Sequence, residues 1–373
     1  MTRSVALGMA LAVAMSAGAA LADVPAEEPG VVPTPPVSPH WVFLTDLAIF
    51  HLTEGKIVIV DGDQGKLLSK LSTGYLANMV LSPDNKQMYV AETFFSRGSR
   101  GERTDVITIF DMASFQPIGE VVIPGRFLVV TNPYNMSLSP DGRFIYVFNM
   151  TPATSVIVVD IKASTVVGEI STPGCAMVLP VQNGFLMPCG DGTFLQVKLE
   201  ADGKEAARTR TAEVFDANAD PISERPARTK TGYVFTSYGG QVYEVDVSGN
   251  DPVFGEPWPL TTADEAGWRP GGWQQVTASP HSNELFVAMH QGGPGTHEVP
   301  GGEVWVYNLA EKKKVRVIKP EEPVLSIAVS RDDKPILAAI TETLGLAIMD
   351  AASGAQTGSM TGLAEFGLVL ETP

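Results

Sequence analysis

The nine residues from Trp268 to Val276 read Trp-Arg-Pro-Gly-Gly-Trp-Gln-Gln-Val, a mixture that neither a generic strand nor a generic helix calls for. Tryptophan and arginine dominate well-packed protein–protein contacts, so Trp268, Arg269 and Trp273 suggest a binding surface. A second specialised stretch, Phe94 to Asp105, places Arg97, Arg100 and Arg103 beside Glu102 in a loop ahead of a β-branched run. A guanidinium is a planar fork that pairs carboxylates bidentately; this stretch reads either as a docking loop or as a solvated one. A third, Asp46 to Glu54, carries Phe50 and His51 in an interrupted apolar segment and reads as a buried strand with a bulge.

Side chains able to run a reaction are sparse. The chain has no Gly-x-Ser-x-Gly elbow, no Gly-x-x-x-x-Gly-Lys phosphate cradle and no His-Glu-x-x-His. His290 and His297 flank the glycine-rich run Gln291 to Thr296, but nothing nearby completes a metal-ligand set. Their expected role is in loop structure or hydrogen bonding, and no metal site is expected. No Cys-x-x-Cys-His offers haem attachment. The two cysteines, Cys175 and Cys189, bracket an Asn183-Gly184 turn between apolar runs, so a hairpin brings them together as a structural disulfide. A metal pair or a redox couple would need further thiolates or a Cys-x-x-Cys spacing.

The elements that must hold these segments repeat. Arg3, the apolar run Val5 to Ala19 and Ala20-Leu21-Ala22 form a secretory signal peptide over residues 1–22. A proline-rich arm, residues 23–40, follows. Export to a bacterial periplasm is expected, an oxidising place for the two thiols. A formal charge of −16 argues against nucleic acid or an anionic membrane as partner. From residue 41 to 373, turns of the type Ser82-Pro83-Asp84 and Ser139-Pro140-Asp141 precede apolar strands, with weaker copies at Ser279 and Ser330. Seven β-branched runs end in a polar residue, among them Ile57 to Asp61, Val106 to Asp111, Val156 to Asp160 and Leu346 to Asp350. A period of about 40 to 60 residues is that of four-stranded blades. The fold expected is all-β, a seven-bladed β-propeller, in which the Trp268 to Val276 segment is an irregular loop at a blade junction.

The order of Phe95-Ser96-Arg97, Arg100 to Asp105, Thr151-Pro152-Ala153-Thr154-Ser155, the paired cysteines and Trp268 to Trp273 resembles the heavy chains of quinoprotein amine dehydrogenases over essentially the whole mature chain. Phe50 to Glu54 and Gly295 to Pro300 resemble the aromatic-amine branch, and Trp268 to Gln275 the methylamine branch, which leaves the amine open. The resemblance implies a periplasmic assembly of two heavy and two light chains. The light chain would carry tryptophan tryptophylquinone and the catalytic base, oxidising primary amines to aldehyde and ammonia. Electrons would pass to a small blue copper protein of the amicyanin or azurin type. The heavy chain would supply no catalytic residue, with Phe50 lining the substrate channel and Arg97, Arg100, Arg103, Trp268, Arg269 and Trp273 at the light-chain interface. The alternative from the residues alone is a free-standing periplasmic propeller that binds other proteins.

Overall fold

Each β-branched run becomes the third strand of an antiparallel sheet, and its terminal polar residue turns the chain. Asp61 Oδ1 accepts from the backbone N–H groups of Asp63 and Gln64 at 3.0 Å each. Asp160, Asp246, Asn308 and Asp350 accept in the same way from Ala163, Ser248, Glu311 and Ser353. The Ser-x-Asp turns lie at the same end of each sheet, between its first and second strands, where Met112 N–H bonds Lys86 O and Ile161 N–H bonds Arg143 O. Ser82 Oγ donates to Asp84 and accepts from Gln87 N–H, and Ser139 and Ser330 repeat this with Asp141 and Phe144 and with Asp332 and Ile336. The copy at Ser279 lacks the acid, and its Oγ accepts only from Ser282 N–H, at 3.3 Å. Side-chain bonds of this kind offer the backbone an end to the ladder.

The computed structural model describes residues 34–373, one compact unit. The signal peptide expected at 1–22 and the arm residues 23–33 lie outside the described residues. Seven sheets form a seven-bladed β-propeller, with two single turns of 3-10 helix at Pro133–Asn135 and Ala263–Glu265. From inside to outside, blade 1 consists of Gly367–Glu371, Trp41–Asp46, Lys56–Asp61 and Lys66–Ser72. Blade 2 is Tyr75–Leu81, Gln87–Phe95, Arg103–Asp111 and Pro117–Ile123; blade 3 is Met136–Leu138, Phe144–Met150, Thr154–Asp160 and Thr165–Ser171. Blade 4 runs from Leu179–Val181 out to Glu205–Arg210, and blade 5 from Ala227–Arg228 out to Val253–Phe254 and Trp258–Pro259. Blade 6 ends at Lys313–Ile318, and blade 7 runs from Val324–Val329 out to Gln356–Met360.

Blade 1 joins the two ends of the chain: Trp41–Asp46 pairs antiparallel with Gly367–Glu371, Phe43 opposite Glu371 and Asp46 opposite Gly367. Side chains alternate across each sheet and serve two neighbours. In blade 1, Val42, Leu44, Val58 and Val60 pack on blade 7, and Trp41, Phe43, Ile57 and Ile59 on blade 2. Seven buried clusters result, one for each junction between neighbouring blades. Outer strands have one neighbour fewer, and Glu205–Arg210 is exposed along its whole length.

The innermost strands run parallel, as the bridge from Gln274 to Ser326 between blades 6 and 7 shows. The molecule therefore has an entry face, where these strands begin, and an exit face, where they end. The Ser-x-Asp turns lie on the exit face. Connections between the second and third strands, including residues 47–55, 96–102 and 292–302, lie on the entry face.

On the exit face His40 crosses the ring closure. Its Nδ1 lies 2.6 Å from Asp63 of blade 1, and its Nε2 lies 3.1 Å from both Asp332 and the Lys334 carbonyl of blade 7. Burial opposes the charged ring, but the hydrogen bonds and attraction of Asp63 and Asp332 outweigh it, and the pKa rises above the ordinary 6.5. A raised folded pKa gives stability that is complete below the unfolded value and is lost as pH rises through the folded one. The Tm advantage of the wild type over His40→Gln should therefore be largest near about pH 6 and shrink towards about pH 8.5. Thermal melts across that range check this, and a constant difference would rule the latch out.

Candidate functional site

The entry face carries every segment that the sequence set apart. Phe50 sits in the connection between the second and third strands of blade 1. Buried Asp46, at the end of its strand, fixes the exit of the chain by accepting from three backbone N–H groups, those of Ala48 at 3.0 Å and of Glu365 and Phe366 at 2.8 Å each. Leu47 and Ala48 tuck inward, and the next turns lift Phe50 out to 76% exposure, with Leu52 beside it at 39%. Residues 46–54 are thus an anchored, outward-facing loop and not the buried strand with a bulge that the apolar pattern suggested. The physical reason is that Asp46 ends the ladder and ties the chain to the 365–366 segment. His51 Nδ1 lies 2.8 Å from Glu365 Oε2, a bond that raises the imidazole pKa on this exposed rim.

The arginine loop of blade 2 is carried beyond the ring by long second and third strands, which pair out to Phe95 and Arg103. Its tip closes through Ser96 N–H to Glu102 O and Arg97 N–H to Arg100 O, both at 2.9 Å. Arg97 and Arg100 are exposed, and no carboxylate among the described residues pairs with them. Arg103 differs. It binds Asp105 at 2.9 Å and donates to the Arg126 carbonyl at 2.6 Å, so it holds the base of the loop rather than offering a free fork. Beneath it the Arg126 guanidinium, 2% exposed, donates to the carbonyls of Tyr75 and Leu76, to Asn78 and to Thr93. Burial depresses its pKa to about 10, which still leaves it charged. Nothing in the local sequence around Arg126 marks it as this anchor.

The Trp268 to Val276 stretch is the innermost strand of blade 6 broken in two, not a loop at a junction. Trp268–Pro270 and Val276–Ser279 both pair with Glu284–Gln291, and residues 271–275 bulge out between them. Gly272, at φ 103°, is the hinge: a Cβ there would lie 2.5 Å from the Leu325 carbonyl. The bulge lets Trp273 N–H bond the Leu325 carbonyl of blade 7. Gln274 then donates to Ile327 O and Leu370 O and accepts from Leu370 N–H, while Gln275 donates to Thr236 of blade 5. Two glutamines thus tie blades 5, 6, 7 and 1 together.

Around this bulge Arg225 lies over the Trp273 ring, 4.1 Å from its centroid, and donates to the Trp273 carbonyl at 3.1 Å. Tyr238 stacks on His297 at 3.9 Å, and Trp268 packs against Trp305 at 5.0 Å. His290 and His297 do not converge: His290 Nε2 bonds Thr296 at 2.8 Å, and its pKa is lowered by burial and then by the charge of Arg269. Among the described residues no group of three His, Cys, Asp or Glu side chains is placed to hold a metal ion. The buried Nε of Arg225 and Arg269, Nε1 of Trp273 and Nδ1 of His290 and His297 have no hydrogen-bond partner within the chain. Three of these are obligate donors, enclosed beneath the aromatic and guanidinium surfaces of the cluster. Arg225 and Tyr238 were not singled out by sequence, because the pairing that brings them to Trp273 is between blades.

Cys175 and Cys189 form a disulfide that pins the entry-face end of blade 4, where Ala176 N–H and Gly190 N–H also bond Pro188 O and Gly174 O. The loop geometry at Phe50 has a direct test. Asp46→Ala strands three backbone N–H donors, one buried and two half-buried, so it should lower the unfolding free energy by about 2 kcal/mol and open residues 47–55 to protease. Urea denaturation with limited proteolysis measures both; a loss under about 0.5 kcal/mol would contradict the anchoring role.

Two kinds of relative match this chain. Solved propellers share the fold alone: a putative 6-phosphogluconolactonase from Bacteroides fragilis superposes with a TM-score of 0.59 at 13% identity, covering 89% of this chain and 97% of the other. The methylamine dehydrogenase heavy chain of Methylorubrum extorquens is 31% identical over 361 residues, 95% of this chain and 87% of that one. That of Paracoccus versutus is 31% identical over 343 residues, 90% of this chain and 80% of that one. The family model described as methylamine dehydrogenase heavy chain (MADH) matches residues 39–372, nearly all of the propeller, and the chain belongs to that family.

Proposed function

We propose that this chain is the heavy, scaffolding subunit of a periplasmic quinone-dependent amine dehydrogenase, assembled as two heavy and two light chains. The observation that carries the reading is the family match over residues 39–372, joined to an entry face that displays a bare aromatic and unpaired arginines together. In this reading tryptophan tryptophylquinone on the light chain would supply the electrophile and electron acceptor for the two-electron oxidation of a primary amine, with water providing the aldehyde oxygen and ammonia leaving. A small blue copper protein, amicyanin or azurin in type, receives the electrons.

This chain's part is to shape and dry the entrance. Phe50 is an aromatic held out at 76% exposure by a loop that Asp46 fixes, so covering it with a light chain removes apolar area from water at roughly 25 cal/mol per Å2. An apolar wall beside an electrophile excludes water and sorts amines by shape. Arg97 and Arg100 reach past the ring with no partner of their own, as a carboxylate-seeking contact would require. Arg103 supports that loop from below, while Trp268, Arg269 and Trp273 stiffen the same face around their bulge.

Co-expression with a candidate light chain tests the assignment: the purified complex should show a quinone absorbance and dye-linked amine oxidation that the heavy chain alone lacks. Amine oxidation by the isolated heavy chain, or failure to associate, would make the chain a free-standing propeller or an enzyme of another kind. In the complex, Phe50→Ala should change the ratio of kcat/KM between methylamine and an aromatic amine by about tenfold while assembly is retained; an unchanged ratio removes Phe50 from the channel. Arg97→Glu with Arg100→Glu should weaken light-chain binding by about tenfold and leave the heavy chain's own Tm unaltered. Binding titrations and melts separate these two effects.

A further inference from the structure

A channel of about 470 Å3 runs along the ring axis between the innermost strands. Its charges do not balance. Arg225, Arg228 and Arg331 line it, and Glu371 is the one acidic side chain among the lining residues. Arg225 is occupied at the entry end by Trp273. Arg228 ends the innermost strand of blade 5 and Arg331 stands in the first turn of blade 7, so both belong to the exit mouth, together with Ser82, Asn85 and Pro373, whose terminal carboxylate pairs with neither.

Neither Arg228 nor Arg331 has a carboxylate within 4.0 Å among the described residues, although the chain as a whole carries a formal charge of −16. Two guanidiniums, both on exposed residues, thus line one mouth with no carboxylate among the described residues within ion-pair reach of either. Desolvation, and then repulsion from Arg228, lowers the pKa of Arg331. Glu371 does not compensate, because burial pushes its carboxyl up to about 8 and leaves it largely protonated at neutral pH. The neighbouring hydroxyls of Tyr134 and Tyr233 are already committed to the carbonyls of Pro226 and Pro180.

The geometry points to an anion site at the exit mouth of the channel, in which Arg228 and Arg331 clamp a small, multiply charged oxyanion such as phosphate. Two forks facing one space match the tetrahedral oxygens of phosphate, or the two ends of a short dicarboxylate, and the anion relieves the repulsion between them. This site lies on the face opposite Phe50 and does not depend on the light chain or on amine oxidation.

The test uses the full mature chain, titrated with inorganic phosphate and separately with succinate against sodium chloride of equal ionic strength. Calorimetry and thermal melts read the result. Saturable binding with a rise in Tm beyond the chloride control is expected, and the comparison of phosphate with succinate tells a phosphoryl from a carboxylate ligand. Arg228→Gln with Arg331→Gln should abolish the binding and leave the unliganded Tm equal or higher, since no native ion pair is lost. Arg228→Lys with Arg331→Lys should retain the site with affinity reduced about tenfold or more, because point charges replace the forks. The proposal is overturned by the absence of saturable binding to either anion. It is equally overturned by a shift that chloride reproduces, or by binding that survives in the double glutamine variant.

Discussion

The pairing of Trp41–Asp46 with Gly367–Glu371 carries more than its six-residue length suggests. No blade has a core of its own. Every buried cluster lies between two blades, so each sheet is stable only while both neighbours are present. In an open array the two terminal sheets would expose faces such as Val42, Leu44, Val58 and Val60 on one side and Ala338, Ile340 and Ile348 on the other. Joining the chain ends within one sheet makes that exposure cost backbone hydrogen bonds as well as apolar burial. Polar side chains reinforce the same seam at three heights. His40 spans blades 1 and 7 on the exit face, Gln274 reaches Leu370 in the middle, and Asp46 holds residues 365 and 366 on the entry face.

That arrangement explains why Phe50 stands where it does. Its loop leaves the ring at the closing strand, and the residues that anchor it are contributed from both ends of the sequence. The aromatic is therefore placed by the closure and not by local propensity, which is why the interrupted apolar pattern of residues 46–54 read as a buried bulged strand. Alternation reports which residues can be buried, but Asp46 decides where the ladder stops, and two of its three partners lie more than 300 residues away.

The architecture was far more legible than the site. Turns of the Ser-Pro-Asp type and strand-ending aspartates are local devices whose hydrogen bonds close within a few residues, so their sequence signature is complete in itself. Seven copies of the strand ending were enough to count seven blades. The entry face is built the opposite way. Trp268 to Val276 looked exceptional and is exceptional, but its shape depends on the Leu325 carbonyl, on Leu370 and on Thr236, none of them near in sequence. Among three arginines that looked alike, Arg103 is set apart from Arg97 and Arg100 by Asp105, its cross-strand position and the carbonyl of Arg126.

The two faces divide the chemistry as they divide the turns. On the exit face the loops are short, self-satisfied and repetitive, which suits a ring that must form seven similar units. On the entry face long connections, a broken strand and five orphaned nitrogens concentrate in blades 5 and 6, and bare apolar surface projects from blade 1. The glutamines of the bulge stitch four blades together beneath that cluster. Exposed Phe50 and the unpaired Arg97 and Arg100 leave apolar and charged surface free on the same face. That combination fits a platform whose chemistry is completed by a partner.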